Sequence, residues 1–279
     1  MCGVKSPIHA GLSYNERRIF MFLSMSDILQ YLLILPVILL ALSVHESAHG
    51  YAAYKLGDPT ANSLGRLTLN PLKHLDVFGF LCMLFFHFGW AKPVPVNTRH
   101  FKKPRRDMAI TAAAGPVSNI LLSLLFALLL RIELIFTERF FADDIYTVAI
   151  ALTTGSTVPV MGMGFKMMSV LTYILFMGVL LNINLAVFNL IPIPPFDGSR
   201  IAYIFMPPKL YFRVMKYEQF IMIAILLLLW FVPFFSSLIG SATTGLSSLI
   251  LSIFGIRGES NANFDLNVQI SYLSQALFS

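Results

Sequence analysis

Stretches of the chain too apolar to remain in water set the terms for its fold. From Ile28 to Tyr54, Met108 to Leu130, Met167 to Ile191 and Phe220 to Phe235 the residues are mostly apolar. Roughly 20 such residues make a helix long enough to cross a bilayer core about 30 Å thick. Lipid cannot satisfy backbone N–H and C=O groups, so these runs must close their hydrogen bonds internally as helices. Hydrophobic residues are 57% of the 279 and charged residues 12%, about half the share usual in soluble domains. The sequence therefore predicts an all-α polytopic membrane protein with about four to six transmembrane segments.

Between the spans the pattern changes. Val77 to Trp90 is apolar, short, and flanked by cations on both sides, which suits a re-entrant or hairpin excursion. Prolines alternate with valines from Pro93 to Val96, so this stretch reads as an extended edge and, with the preceding residues, as a short membrane-associated β-hairpin. Gly115-Pro116 predicts a kink or a close helix contact in the second span. Arg131 to Lys166 mixes charges with glycines at its end and reads as a loop. Leu246 to Phe254 is a weaker apolar run. The expected organisation is an N-terminal tail over 1–27, one membrane domain over 28–240 and a partly membrane-associated tail over 241–279.

A net charge of +6 does not indicate nucleic acid here, because Lys55 to Arg106 and Arg200 to Lys216 hold thirteen of the twenty basic residues beside apolar runs. That asymmetry reports orientation and places both stretches in the cytoplasm. Cys2 and Cys82 are too few for a disulfide framework or a thiolate zinc site. The apolar run after Asp27 lacks a small-residue cleavage site and reads as a retained helix.

Chemistry enters at His45-Glu46-Ser47-Ala48-His49, near the end of the first span. Two histidines at i and i+4 share a helix face and can bind one zinc ion, with the glutamate placed as the base for its water. Chance would give this H-E-x-x-H pattern in roughly one such sequence in several hundred. Ionisable groups in a span also cost about 2.5–3.5 kcal/mol each on insertion scales, so the cluster is not incidental. A catalytic zinc site needs a third protein ligand and an open position. Asp197, where the third span meets a proline-rich bend before Gly198, is best placed; Glu133, Asp143, Asp144 and His87 are the alternatives. His74 and His100 read as surface residues of basic loops. Met161, Met163, Met167 and Met168 read as flexible core side chains.

Three segments in order, His45–His49, Ala114-Gly115-Pro116-Val117-Ser118-Asn119 and Asn189-Leu190-Ile191-Pro192-Ile193-Pro194-Pro195-Phe196-Asp197-Gly198, resemble the signature elements of the site-2 protease family. Gly65–Pro71 and Gly89–Asn97 are similar to segments of its compact prokaryotic members. The resemblance covers about residues 30 to 205. It implies a zinc-dependent endopeptidase of the cell membrane that cuts transmembrane segments of other proteins within the bilayer. It also implies Asp197 as third zinc ligand, Glu46 as base, Asn189 as a contact to substrate or oxyanion, and the strand near Trp90 as the edge where unwound substrate pairs. Asn119 is expected to contact substrate as well. Phe196 stands where leucine is usual before Asp-Gly. The 131–166 loop is too short for a PDZ domain, and the C-terminal tail too short for a nucleotide-sensing domain. A zinc-binding scaffold would not need Glu46, and a transporter would show paired broken helices or repeated halves, which the sequence lacks.

Overall fold

The computed structural model describes residues 25–86, 91–154, 156, 161–231 and 233–256. The described residues are mostly helical. The helices are α1 (Met25–Lys55), α2 (Thr60–Ser63), α3 (Val77–Phe86), α4 (Pro104–Thr154), α5 (Met163–Asn189), α6 (Asp197–Ala202), α7 (Pro208–Met215), α8 (Glu218–Phe231) and α9 (Pro233–Ile253). Single 3-10 turns at Pro71–Lys73 and Thr98–His100 shape the connections between α2 and α4.

Three of these helices contain segments long and apolar enough to cross a membrane: Gln30–Lys55, Pro104–Ala151 and Met163–Asn189. The fourth expected span corresponds to α8, which has 14 residues and measures about 21 Å, short of the bilayer core on its own. A count of four to six spans therefore goes beyond the described helices. The expected β-hairpin also shrinks. Its apolar arm is helix α3, and the antiparallel contact reduces to a bridge between Leu75 and Ala91, where the Lys92 N–H donates to the His74 carbonyl at 2.7 Å. No strand occurs among the described residues, and Trp90 and His87 lie outside them.

The expected loop over 131–166 is largely helix, because α4 continues to Thr154. The stretch between Val117 and Thr154 has neither Gly nor Pro, so its sequence favours helix on both sides of a single bend. The bend in α4 falls at Phe141 (φ −132°, ψ 27°), while Pro116 lies inside the helix. Glu133, one of the alternative ligands, is buried within α4 and accepts a hydrogen bond from Thr137 Oγ1 at 2.7 Å.

Helices α1, α4 and α5 pack together, and α9 leans on α5. Phe126, Leu130 and Leu134 of α4 meet Leu175, Val179 and Ile183 of α5. Gly178 permits that approach, since a Cβ there would sit 2.5 Å from the Phe126 ring. Ile250 and Ile256 join the same core, so α9 runs across the boundary expected at 240. Of the methionines read as core, Met161 is buried, whereas Met163 and Met167 are exposed. The outward faces of α4 carry exposed Leu121, Leu125, Ile132 and Phe136, as a lipid-facing surface requires.

Candidate metal centre and its cavity

Four residues apart on α1, His45 and His49 present their rings to the same side, with centroids 4.6 Å apart and planes nearly perpendicular. Asp197, the first residue of α6, reaches them from the far end of the Pro-rich bend. Its Oδ2 lies 3.1 Å from both Nε2 atoms, and the two Nε2 atoms are 3.0 Å apart. All three side chains are buried.

Proton positions decide what such a triangle can hold. The His49 Nδ1 faces the Thr111 carbonyl at 2.8 Å, and a carbonyl only accepts, so this nitrogen carries the hydrogen. The His45 Nδ1 lies 2.5 Å from Asn119 Oδ1. Two backbone carbonyls fix that amide's orientation. Asn119 Nδ2 donates to Ala41 O at 3.3 Å and to Asn182 Oδ1 at 2.8 Å, while Asn182 Nδ2 donates to Gly178 O at 2.8 Å. Both imidazoles thus hold a hydrogen on Nδ1, and in their neutral form they turn bare Nε2 lone pairs toward a carboxylate oxygen. Three such acceptors at about 3 Å repel one another unless a proton or a metal cation lies among them. Protonating both rings would instead set two cations Nε2 to Nε2. Edges of 3.0–3.1 Å are a few tenths of an ångström shorter than the roughly 3.3–3.6 Å edges of a tetrahedron with zinc–ligand lengths of about 2.0–2.2 Å, so a small outward shift of the side chains fits the triangle to the ion. His45, His49 and Asp197 can therefore hold a metal ion.

The surrounding helices supply this order. Thr111, Gly115 and Asn119 recur every four residues on α4, forming one stripe that crosses α1 at the histidines. Thr111 and Asn119 grip the two Nδ1 atoms, and Gly115 between them leaves room for the rings. A Cβ on Gly115 would lie 2.5 Å from His49 Cε1 and Nε2 and 2.6 Å from His45 Cε1. Gly198 does the same for Asp197, since a Cβ there would enter the Leu190 and Ile191 carbonyls. The turn that aims the carboxylate can therefore press against its own bend.

The triangle opens on a cavity of about 720 Å³ lined largely by apolar side chains, among them Leu39, Leu42, Leu181, Leu185 and Phe188. Beside the ligand candidates, the polar groups in its wall include Glu46, Asn184, Asn189, Arg200 and Glu218. Glu46 Oε2 accepts the Val94 N–H at 2.8 Å, and Oε1 has no hydrogen bond among the described residues. Asn189 donates one N–H to Leu185 O at 2.9 Å and keeps its other N–H and its oxygen. Asn119, in contrast, is fully buried against His45. The expected edge from Val94 to Asn97 is partly spoken for. The Val94 N–H goes to Glu46, the Asn97 N–H goes to Asp58 at 2.6 Å, and Pro95 has none, so Val96 offers the one amide between them without a partner among the described residues.

A family model for "Peptidase family M50" matches residues 33–229, and these include all three ligand candidates and Glu46. The chain belongs to peptidase family M50. This is the site-2 protease family, as the sequence motifs implied, and it makes the chain a zinc metalloprotease. Among curated proteins, "Putative zinc metalloprotease YwhC" of Bacillus subtilis is 38% identical over 202 residues, covering 72% of this chain and 81% of that protein. "Putative zinc metalloprotease Rip2" of Mycolicibacterium smegmatis is 27% identical over 173 residues, 60% of this chain and 55% of that protein. No solved structure matches the chain.

Several parts of this M50 site escaped sequence reading. His74 is buried, not a surface residue, with Nε2 2.8 Å from the Thr68 carbonyl and 3.5 Å from Ser47 Oγ. Asp58 is fully buried and gathers Thr60, Asn97 and His100. Burial alone would raise its carboxyl, but hydrogen bonds led by the Thr60 hydroxyl, then Asn97 and His100, hold it below the usual carboxylate range. Thr111 acts through its carbonyl, which no side-chain pattern reveals. Only its spacing from Gly115 and Asn119 hinted at a shared face.

Proposed function

We propose that this M50 metalloprotease cuts peptide bonds within transmembrane segments of other membrane proteins, with zinc held by His45, His49 and Asp197 and with Glu46 as base. The supporting observation is the convergence of three lone pairs at the wall of an apolar cavity between helices suited to a bilayer. Zinc, when bound, supplies Lewis acidity toward a peptide carbonyl and brings the pKa of a coordinated water to about 7. The chain's own groups do the rest. The Asn119 and Thr111 acceptors keep both Nε2 lone pairs aimed inward. Glu46 Oε1 takes a proton from the water that attacks the peptide carbonyl and passes it to the nitrogen of the breaking C–N bond, which leaves as the amine, while Val94 holds Oε2 still. Asn189 meets the substrate through its free N–H and oxygen. Asn119 acts by orienting His45, since its burial leaves no surface for substrate.

A helical span hides its carbonyls in its own hydrogen bonds, so substrate must open a turn before a bond becomes reachable. The Val96 N–H and the neighbouring carbonyls offer hydrogen bonds to the opened strand. The positive-inside pattern supports a cytoplasmic position for this side of the site, and the resemblance to compact prokaryotic family members implies the plasma membrane of a prokaryote. The test is cleavage of single-span peptides by the purified protein and by Glu46→Gln, with zinc measured in both. The proposal expects equal zinc and cleavage by wild type alone. Equal cleavage by both would overturn the role of Glu46.

A further inference from the structure

The backbone that carries Val94 past the catalytic cleft is anchored by a charged group that the hydrolytic mechanism does not itself use. Arg66 is only 9% exposed, although it follows the tight positive-φ turn at Gly65. Its Nη2 donates to two consecutive carbonyls far along the chain, Lys92 O at 2.8 Å and Pro93 O at 3.1 Å. The very next amide, Val94, is the one that holds Glu46 Oε2. No carboxylate pairs with this guanidinium among the described residues, and its Nε has no partner there. A buried cation balanced by carbonyl dipoles alone is a poor way to add stability, but it is a good way to fix where a backbone runs.

We propose that Arg66 is a positioning residue for peptide hydrolysis: by clamping the Lys92 and Pro93 carbonyls it sets the Val94 N–H on Glu46 and leaves Val96 for substrate. The assignment rests on Glu46 being the base. Three features make the clamp effective. Pro93 and Pro95 fix φ on both sides of Val94, so displacement of the carbonyls carries directly to its N–H. The Val94 side chain is buried against Gly50 of α1, one residue past His49; a Cβ on Gly50 would lie 3.2 Å from Val94 Cγ1. Asp58 secures the far end through the Asn97 N–H. Arg66 touches neither the ligand triangle nor the cavity wall, so its removal changes the base and the edge while sparing the metal.

The experiment compares Arg66→Gln, Arg66→Lys, Val94→Pro, which deletes the amide donor, and the Arg66→Gln/Val94→Pro double variant in the reconstituted full chain. Cleavage of one transmembrane peptide, bound zinc and amide exchange across 91–97 are measured for each. Arg66→Gln should keep its zinc, lose about 10–100-fold in kcat and exchange faster over 91–97, with Arg66→Lys recovering much of the loss. The double variant should fall no more than about 3-fold below Val94→Pro alone, because both changes cut one connection. Multiplied losses in the double variant, wild-type kcat in Arg66→Gln, or zinc lost along with activity would each overturn the assignment. If Arg66→Gln does not fold, Arg66→Lys and Val94→Pro carry the same comparison. Should the wild type cleave nothing, the role of Glu46 fails separately, and unchanged exchange in the Arg66 variants would then refute the clamp by itself.

Discussion

Replacing Gly115 by alanine sets helix stability against metal binding. Position 115 lies within α4, where Gly→Ala in a helix interior gains up to about 1 kcal/mol from backbone entropy and propensity. The same methyl would stand 2.5 Å from His49 Nε2 and 2.6 Å from His45 Cε1, where ordinary contact begins near 3.4 Å. One or both rings must therefore retreat by about 0.8–0.9 Å, whereas metal–ligand distances tolerate only about 0.2 Å. Rotation is restricted too, because Thr111 and Asn119 hold the Nδ1 atoms. Loss of supporting hydrogen bonds typically costs 10–100-fold in metal affinity, and displaced ligands should cost at least about 100-fold. The assay titrates zinc against a competing chelator in the purified protein and records thermal unfolding of the metal-free form. The expected result is a metal-free form at least as stable as wild type that binds zinc about 100-fold more weakly. Wild-type zinc affinity in Gly115→Ala would refute the assignment of this glycine as the space for the two imidazoles.

Asn119→Leu should weaken zinc binding about 10–100-fold by freeing the His45 Nδ1, and Asn119→Asp, which keeps an acceptor, should restore most of it; chelator competition reads both. Asp58, held below its ordinary value, stabilises the fold above its unfolded pKa near 3.9, and that contribution is lost as pH falls through the lower folded pKa. Asp58→Asn should therefore lower the Tm at pH 7 and lessen the decline in Tm on acidification below about pH 4, as seen by thermal scans from pH 3 to 7. Among substrates, Gly or Pro near the cut should raise cleavage by about one to two orders of magnitude over all-Leu spans if unwinding limits the rate; equal rates would exclude that.

The candidate metal-binding group was legible because its chemistry sits in side chains at recognisable positions. The H-E-x-x-H turn places two imidazoles on one face whatever else the chain does, and Asp197 ends a bend that proline and glycine announce. The three long apolar runs were equally plain. What failed to show were features carried by the backbone. Thr111 contributes a carbonyl and Val94 an amide, and any residue offers those. His74 looked like part of a basic, solvated loop, yet the Thr68 carbonyl and the approach of Ala91 bury it. The stretch from Arg131 to Thr154 was misread because charge density suggested water, while the absence of Gly and Pro, the better indicator, goes with helix on both sides of the bend at Phe141. Asn119, expected to contact substrate, lies buried beside His45: a polar side chain at a helix crossing can face substrate or brace a neighbouring side chain, and the sequence does not distinguish the two.

The central claim, that a zinc site within the membrane region severs transmembrane segments, is tested most directly by mapping the cut. A single-span protein is reconstituted with the enzyme in lipid vesicles, and the product termini are read by mass spectrometry, with Glu46→Gln as the control. Cuts inside the apolar segment, absent with Glu46→Gln, are the predicted result. Cuts confined to the soluble flanks, or unchanged with Glu46→Gln, would contradict it.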